Sequence, residues 1–309
     1  MNKVLVGLLL AGLFFLSGLN RFVSADQTKV LNVLATNSIL DDAVRQVAGD
    51  FVNVKVLVGP NGDPHTFEPT PQDNVLLKNA QIIFENSLYL EPWMDKLYKA
   101  SQSQARRVRV TDGIKLIEKK DGHDDADEHK HFEFDPHVWH DVKNMDVMVV
   151  AVRDALIKED PQHAAGYQKN AQHYLSKLTE LDRWITEQVS MIPEDNRQLV
   201  TSHDTFSYFA RRYGFKIVGA VVDSATTEAA DPSALKIADL VKKIKSANVK
   251  AVFIENVANP QMVQAVASEA GVKVAPFLYS DALGEKGSAG ENYIEMMRYN
   301  VRTIVEALK

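Results

Sequence analysis

Three histidines and one aspartate stand near the ends of predicted strands, where together they could hold a metal ion. His65 closes a turn-rich stretch after one predicted strand, His203 directly follows a second, and Asp281 comes shortly after a third. His137 lies in the phrase DPHVWH, after an acidic segment. Because open α/β sheets bind ligands beyond the carboxyl ends of their strands, we expect these side chains to face one crevice. Imidazole nitrogen and carboxylate oxygen suit a four-coordinate divalent ion.

Each of these residues also has an ordinary alternative role. A single histidine after a strand is more often a surface or hydrogen-bonded residue than a ligand. The repetition of the pattern at one predicted crevice favours the metal-site interpretation. The chain contains no cysteine, which excludes disulfides, thiolate zinc sites and iron–sulfur clusters. Any metal must therefore be held by nitrogen and oxygen.

The other histidines divide into two groups. His140 lies three residues after His137, and the two share a face if the intervening residues are helical. It could be a spare ligand or a hydrogen-bond donor to one, and the sequence leaves it unassigned. His163 and His173 lie within a long helical pattern, where we expect them to face solvent.

The elements that position these residues form two α/β sets. Short apolar runs alternate with helical patterns, which is typical of βα units around a mainly parallel sheet. The first set has predicted strands at residues 31–36, 52–58, 81–85 and 106–110 and helices at 39–48 and 92–100. The second has predicted strands at residues 198–202, 216–220, 250–254 and 272–275 and helices at 204–213, 232–247 and 260–270.

One long amphipathic helix is predicted between the two sets. Apolar residues recur at steps of three and four from about Pro161 to Ile192, so one helix of ~45 Å would run along both lobes. The prediction is an α/β protein of two lobes joined by a rigid backbone helix. The divisions are residues 26–150 for the N-terminal lobe, 151–195 for the connecting helix and 196–309 for the C-terminal lobe.

An acidic, histidine-containing loop interrupts the first lobe at residues 119–133. Its centre reads DGHDDADEHKH and has no apolar periodicity. Acidic residues alone indicate a solvated loop that binds nothing, whereas His123, His129 and His131 favour weak sampling of metal ions. We do not place this loop in the main site.

The first 25 residues read as a cleaved signal peptide. Lys3 precedes an apolar run at residues 4–18, and small residues at 23–25 offer a cleavage site. Leu19 stands where a lipoprotein would carry its acylated cysteine, so we expect a soluble monomer in the periplasm rather than a lipid-anchored protein. The net charge of −6 provides no basic surface for nucleic acid.

Longer phrases make the chain resemble the metal-specific solute-binding proteins of ABC importers, in the zinc and manganese cluster. The phrases are DPHTFEPTP at residues 63–71, NSLYLEPWM at 86–94, DPHVW at 135–139 and YSDALG at 279–284. This resemblance covers essentially the whole mature sequence. It implies two lobes with one metal ion between them, a membrane permease as partner, and the ligands His65, His137, His203 and Asp281.

The resemblance also bears on which metal is carried. Manganese-type members have glutamate where this chain has His203, and three imidazoles favour Zn²⁺ over the harder Mn²⁺. We therefore expect high-affinity zinc binding and delivery to an ABC importer, with a manganese or iron carrier as the alternative. His140 departs from the family, which has leucine after the tryptophan.

Two further function classes compete with a carrier. A zinc enzyme keeps an open coordination position for water, whereas four protein ligands are available here, and the chain has no His-Glu-x-x-His motif. A secreted adhesin is the other alternative, although no feature of the sequence favours it. We expect a protein that is not an enzyme.

Overall fold

The computed structural model describes residues 30–119, 134–222 and 232–309. The predicted signal peptide and nearly all of the predicted acidic loop lie outside these described residues. Within the described residues, no helix combines the length and apolar character needed to cross a membrane. The predicted α/β class, with parallel sheets flanked by helices and one long helix, is confirmed.

The first half of the chain builds a four-stranded parallel sheet in the order β2-β1-β3-β4. Its strands are β1 Leu31–Asn37, β2 Val52–Val58, β3 Ile82–Glu85 and β4 Arg106–Arg109. The accompanying helices are α1 Ser38–Ala48, α2 Pro71–Asn79 and α3 Met94–Ser101. Asn37 is the last residue of β1 and the N-cap of α1. Its Oδ1 accepts a hydrogen bond from the backbone N–H of Leu40 at 3.0 Å. The parallel order brings the strand ends to one edge.

Two long helices follow the first sheet. They are α4 Val142–Glu159 and α5 Ala164–Val189, separated by a 3₁₀ turn at Pro161–His163. The observed helix α5 is therefore shorter at both ends than the predicted helix. Pro161 begins a 3₁₀ turn instead of the helix, and α5 ends at Val189. The buried stripe of α5 follows the predicted periodicity: Tyr167, Ala171, Tyr174, Leu178, Leu181, Ile185 and Val189. The lobe boundaries themselves stay a prediction.

The second half contains two parallel strand pairs where one sheet was predicted. One pair is β5 Gln198–His203 with β6 Lys216–Val222, and the other is β7 Ala251–Glu255 with β8 Lys273–Leu278. The helices are α6 Ser207–Tyr213, α7 Ala234–Ala247, α8 Pro260–Ala270 and α9 Tyr293–Leu308. Side chains join β5 to β7, since Glu255 N donates to Ser202 Oγ at 3.2 Å and His203 N donates to Glu255 Oε1 at 3.0 Å.

One hydrophobic core passes through both halves by way of α5. This helix packs against α1 and α4 of the first half and against α6 and α9 of the second. A single buried cluster contains Val33 of β1, Leu178 of α5, Phe253 of β7 and Leu278 of β8. The edges of the two halves that carry the candidate residues are thus held against each other by continuous packing.

Candidate metal centre

The structure brings the four nominated side chains together in a buried cluster. His65, His137, His203 and Asp281 each offer one ligand atom, and these atoms all lie within 4.8 Å of one another. Each residue has 1% or less of its surface exposed. In the first half, His65 follows β2 and His137 precedes α4. In the second half, His203 is the last residue of β5 and Asp281 follows β8. The cluster lies between the two halves.

The Nε2 atoms of the three imidazoles converge on the Asp281 carboxylate. His203 Nε2 lies 3.1 Å from Asp281 Oδ2, His137 Nε2 lies 3.4 Å from Oδ1, and His65 Nε2 lies 3.9 Å from Oδ2. His137 Nε2 is also 3.3 Å from the Nε2 atoms of both other histidines. Three nitrogens and one carboxylate facing a common point match the donor set of a tetrahedral divalent ion.

Turn chemistry after β2 positions His65. Asp63 Oδ1 accepts the backbone N–H of His65 at 2.9 Å, which closes an Asx turn. The indole of Trp93 donates to the Pro64 carbonyl at 2.7 Å and fixes the same loop from the side. His65 Nδ1 is buried and has no hydrogen-bond partner among the described residues. The backbone of His65 is therefore held more firmly than its ring.

Carboxylates orient the other two imidazoles from behind. Asp135 Oδ1 lies 2.7 Å from His137 Nδ1, and Glu255 Oε2 lies 2.5 Å from His203 Nδ1. A carboxylate behind the ring directs the other ring nitrogen toward a metal and raises its basicity. These two residues were missed as site residues at the level of sequence. Asp135 opens the phrase DPHVW two residues before His137, and Glu255 directly follows the predicted strand at residues 250–254. Those positions were the available signals.

A lysine balances part of this negative charge. Lys119 Nζ lies 3.2 Å from Asp135 Oδ2 and also pairs with Asp204. Burial would lower the pKa of Lys119, but Asp135 and Asp204 raise it above its ordinary value. Burial would likewise raise the pKa of Asp135, whereas His137 and Lys119 lower it to about 2. Asp135 is thus an anion behind His137.

His65 and His203 differ in protonation state. Burial lowers the pKa of His65 to about 3, so that ring is neutral. Burial also disfavours the charge of His203, but the carboxylates of Glu255 and Asp281 raise its pKa well above the ordinary value. For Asp281, burial would raise the pKa, and His203 and His137 overcome it and lower the pKa. A raised pKa makes the His203 imidazole a cation at neutral pH, next to the Asp281 carboxylate.

His140 lies next to the cluster but outside its four ligand atoms. It is fully buried, and its ring stacks on Phe206 with centroids 4.3 Å apart. Its Nε2 lies 3.4 Å from Thr205 Oγ1, which in turn lies 3.4 Å from Asp281 Oδ1. Burial lowers the pKa of His140 to about 3, so the imidazole is neutral.

The remaining predicted histidines lie away from the cluster. His173 is exposed on α5, as expected. His163 is only partly exposed, because it stacks on Phe51 at 4.6 Å and its Nδ1 lies 2.6 Å from Asp160 Oδ2. Residues His123, His129 and His131 lie outside the described residues.

The known proteins that this chain resembles are all named for binding or taking up a metal, but they differ in which metal that is. The family described as "Zinc-uptake complex component A periplasmic" matches residues 33–307. The manganese-binding lipoprotein MntA of Halalkalibacterium halodurans is 35% identical over 279 residues, 90% of this chain and 88% of that protein. The iron ABC transporter substrate-binding lipoprotein MtsA of Streptococcus pyogenes is 31% identical over 284 residues, 90% of this chain and 89% of that protein.

Solved structures share the fold over nearly the whole described chain. The periplasmic zinc-binding protein TroA from Treponema pallidum superposes with a TM-score of 0.82 at 31% identity, covering 91% of this chain and 99% of that one. The manganese-bound periplasmic metal-binding protein from Candidatus Liberibacter asiaticus gives a TM-score of 0.80 at 26% identity, covering 90% and 100%.

Proposed function

This chain belongs to the family described as "Zinc-uptake complex component A periplasmic", whose members are metal-binding components of ABC importers, and we propose that it binds Zn²⁺ and delivers it to the importer's membrane permease. The ligands in this proposal are His65, His137, His203 and Asp281. The observation that carries it is the approach of three imidazole nitrogens and one carboxylate to within 4.8 Å in a fully buried site.

The donor chemistry favours zinc over the other metals for which relatives are named. Zinc prefers a nitrogen-rich, four-coordinate shell, whereas manganese prefers more oxygen ligands and higher coordination numbers. Asp135 and Glu255 behind the rings add to this preference, because they raise the basicity of His137 and His203. Manganese is the second candidate, because MntA is named for manganese and matches most of the chain.

A carrier function also fits the closure of the site better than an enzyme function. Four protein ligands complete a tetrahedral shell, while catalytic zinc keeps one position for water. The same burial that excludes water excludes an organic substrate. Metal-dependent turnover of any substrate would contradict this part of the proposal.

Metal analysis is the direct test of the proposal. Protein purified without added metal should carry zinc at about one ion per chain, as a single four-ligand site requires. Competition titration at one pH should then rank zinc above manganese. Protein that binds neither ion tightly, or binds manganese more tightly than zinc, would overturn the proposal.

Alanine variants separate the four ligands from a bystander histidine. His65→Ala, His137→Ala and His203→Ala should each weaken zinc binding strongly, because loss of one ligand opens the shell. His163→Ala is the control, since its ring pairs with Asp160 and stacks on Phe51 away from the cluster. An equal loss in His163→Ala would contradict the ligand assignment.

Export to the periplasm as a soluble monomer is also part of the proposal. The curated relatives named above are lipoproteins, whereas this chain has Leu19 where an acylated cysteine would stand. Mass spectrometry of the mature protein distinguishes cleavage after residue 25 from lipid attachment.

A further inference from the structure

His140 is a buried imidazole beside the cluster that is not one of the four ligands. Its Nδ1 has no hydrogen-bond partner among the described residues, and its only hydrogen-bond contact given by the structure is Nε2 to Thr205 Oγ1 at 3.4 Å. Leaving a polar nitrogen buried without a partner costs free energy. An apolar side chain stacked on Phe206 would avoid that cost, so the imidazole calls for a functional explanation.

Thr205 connects this imidazole to the cluster. Its Oγ1 lies 3.4 Å from His140 Nε2 and 3.4 Å from Asp281 Oδ1, and Thr205 and His140 are both buried. A hydroxyl carries one hydrogen, so it can donate to only one of these two atoms. The direction of the chain of hydrogen bonds therefore decides whether Asp281 Oδ1 receives a donor.

The unpartnered Nδ1 of His140 indicates in which direction the hydrogen bonds between His140, Thr205 and Asp281 run. If Thr205 donated to Nε2, the hydrogen of the neutral imidazole would be on Nδ1, as a buried N–H without an acceptor. If Nε2 carries the hydrogen, Nδ1 presents only a lone pair. Among buried backbone groups, an N–H without a partner is rarer than an acceptor without one, and we apply the same preference to this ring. The Nε2–H then donates to Thr205 Oγ1, which leaves the threonine hydrogen for Asp281.

We infer that His140 and Thr205 form a hydrogen-bond relay that occupies Oδ1 of Asp281 and leaves Oδ2 as its metal-binding oxygen. Both carboxylate oxygens border the cluster, but Oδ2 faces two of its imidazoles, at 3.1 Å from His203 Nε2 and 3.9 Å from His65 Nε2. Oδ1 lies 3.4 Å from His137 Nε2 and 3.4 Å from the Thr205 hydroxyl. Each carboxylate oxygen has two lone-pair sites, so the hydrogen bond weakens Oδ1 as a ligand and favours a single coordination bond through Oδ2.

The consequence of this restriction is selectivity, and this step rests on the proposed zinc function. A carboxylate that binds through one oxygen completes a four-coordinate shell with three imidazoles, which suits zinc. A carboxylate free to bind through both oxygens raises the coordination number and the share of oxygen, which suits manganese. His140 and Thr205 are thus residues that set metal preference without being ligands.

The test compares variants that break the relay at two points. Thr205→Val removes the hydroxyl, and His140→Leu removes the donor behind it. In competition titrations, each should lower the ratio of zinc to manganese affinity by about tenfold, the scale of one hydrogen bond. The double variant should lower the ratio no further, because both changes break one chain.

Two controls keep the result specific. Thr205→Ser retains the hydroxyl and should keep the wild-type ratio, and Thr303→Val replaces a buried threonine of α9 outside the cluster. X-ray absorption of the zinc-loaded proteins should show four-coordinate zinc in wild type and an added oxygen neighbour in Thr205→Val.

The possible outcomes separate this inference from the proposed function. An unchanged affinity ratio and an unchanged zinc shell in both Thr205→Val and His140→Leu would overturn the relay and leave the carrier function intact. Failure of wild-type protein to bind either ion tightly would overturn both. If one variant does not fold, the other tests the relay by itself, because each removes a different member.

Discussion

At the scale of single residues, the carboxylates behind the rings decide which imidazole nitrogen faces the cluster. The Asp135 carboxylate contacts Nδ1 of His137, and the Glu255 carboxylate contacts Nδ1 of His203. The Nε2 atoms of both rings therefore face the cluster. His65 has no such partner among the described residues. We therefore expect His65 to be the most adjustable of the four candidate ligands.

Removing the charge of Glu255 should weaken zinc binding. Glu255→Gln keeps the size of the side chain but removes the anion behind His203, and loss of such a partner typically costs about 10–100-fold in metal affinity. Glu295→Gln, at an exposed position of α9, is the matched control. Equal zinc affinities for the two variants would mean that Glu255 only supports the fold.

Zinc affinity should rise with pH. The carboxylates of Glu255 and Asp281 hold the pKa of His203 well above its ordinary value despite burial, so zinc must displace a proton from this ring. Below that folded-state pKa, affinity should increase by about tenfold per pH unit. Calorimetry in buffers of different ionisation enthalpy counts the released proton. A dissociation constant independent of pH would contradict the protonated His203.

Replacing His203 by glutamate should reduce the preference for zinc. The change exchanges an imidazole nitrogen for an anionic oxygen and places one more anion beside the carboxylates of Asp281 and Glu255. Manganese tolerates this oxygen-rich shell better than zinc does, so the ratio of zinc to manganese affinity should fall. Competition titration at a single pH measures that ratio, and an unchanged or higher value would place selectivity elsewhere.

At the scale of elements, a strained loop supports the segment that carries His137. Ser87, Leu88 and Tyr89 all have left-handed backbones, with φ of 65°, 56° and 66°. The buried Glu91 carboxylate holds this loop, because it accepts hydrogen bonds from Thr36 Oγ1 and from the backbone N–H groups of Asn86 and Ser87. Asn86 Nδ2 in turn donates to the Pro136 carbonyl at 3.0 Å, next to His137.

Glu91 should make the metal-free protein less stable as pH rises. Burial raises its pKa from the ordinary 4.5 to about 7, so between these values the folded state binds the proton more tightly than the unfolded state. The free energy of unfolding should fall across this window by at most about 1.4 kcal/mol per pH unit. Glu91→Gln should lack this decrease in the free energy of unfolding, while Glu306→Gln, at an exposed position, should keep it. Denaturant unfolding at several pH values measures the difference, and parallel curves for wild type and Glu91→Gln would contradict the assignment.

The sequence predicted elements well wherever hydrophobic periodicity was sufficient. It placed β2 at residues 52–58 and α8 at residues 260–270 with their observed bounds. It did not predict the division of the second half into two strand pairs, because the join between them runs through the side chains of Ser202 and Glu255. Three of the candidate ligands followed from strand ends and His137 from the phrase DPHVWH, whereas Asp135 and Glu255 required knowledge of which carboxylate lies behind which ring.

At the scale of the whole molecule, the two halves share one buried core. The apolar stripe of α5 contacts helices of both halves, and tertiary bonds such as Trp139 Nε1 to the Ser280 carbonyl, at 3.0 Å, cross between them. Neither half can unfold without exposing part of the core of the other. We expect the described chain to behave as one cooperative unit.

Thermal unfolding should therefore show one transition that zinc moves as a whole. At a free zinc concentration 100 times the dissociation constant, binding should add about 2.7 kcal/mol to the free energy of unfolding. For a chain of this size that raises Tm by about 4–5 °C. Differential scanning calorimetry measures both quantities. Two separate transitions, only one of them sensitive to zinc, would contradict the shared core.

The division of the four candidate ligands between the two halves has a consequence for release. Each half supplies only two of them, and two ligands make a poor chelator. Because a tetrahedral zinc site needs its four ligands at short, fixed distances, separation of the halves would leave the ion with only two of its four bonds. On the proposed function, we therefore expect a permease to release the ion by separating the two halves, without a stronger set of ligands of its own.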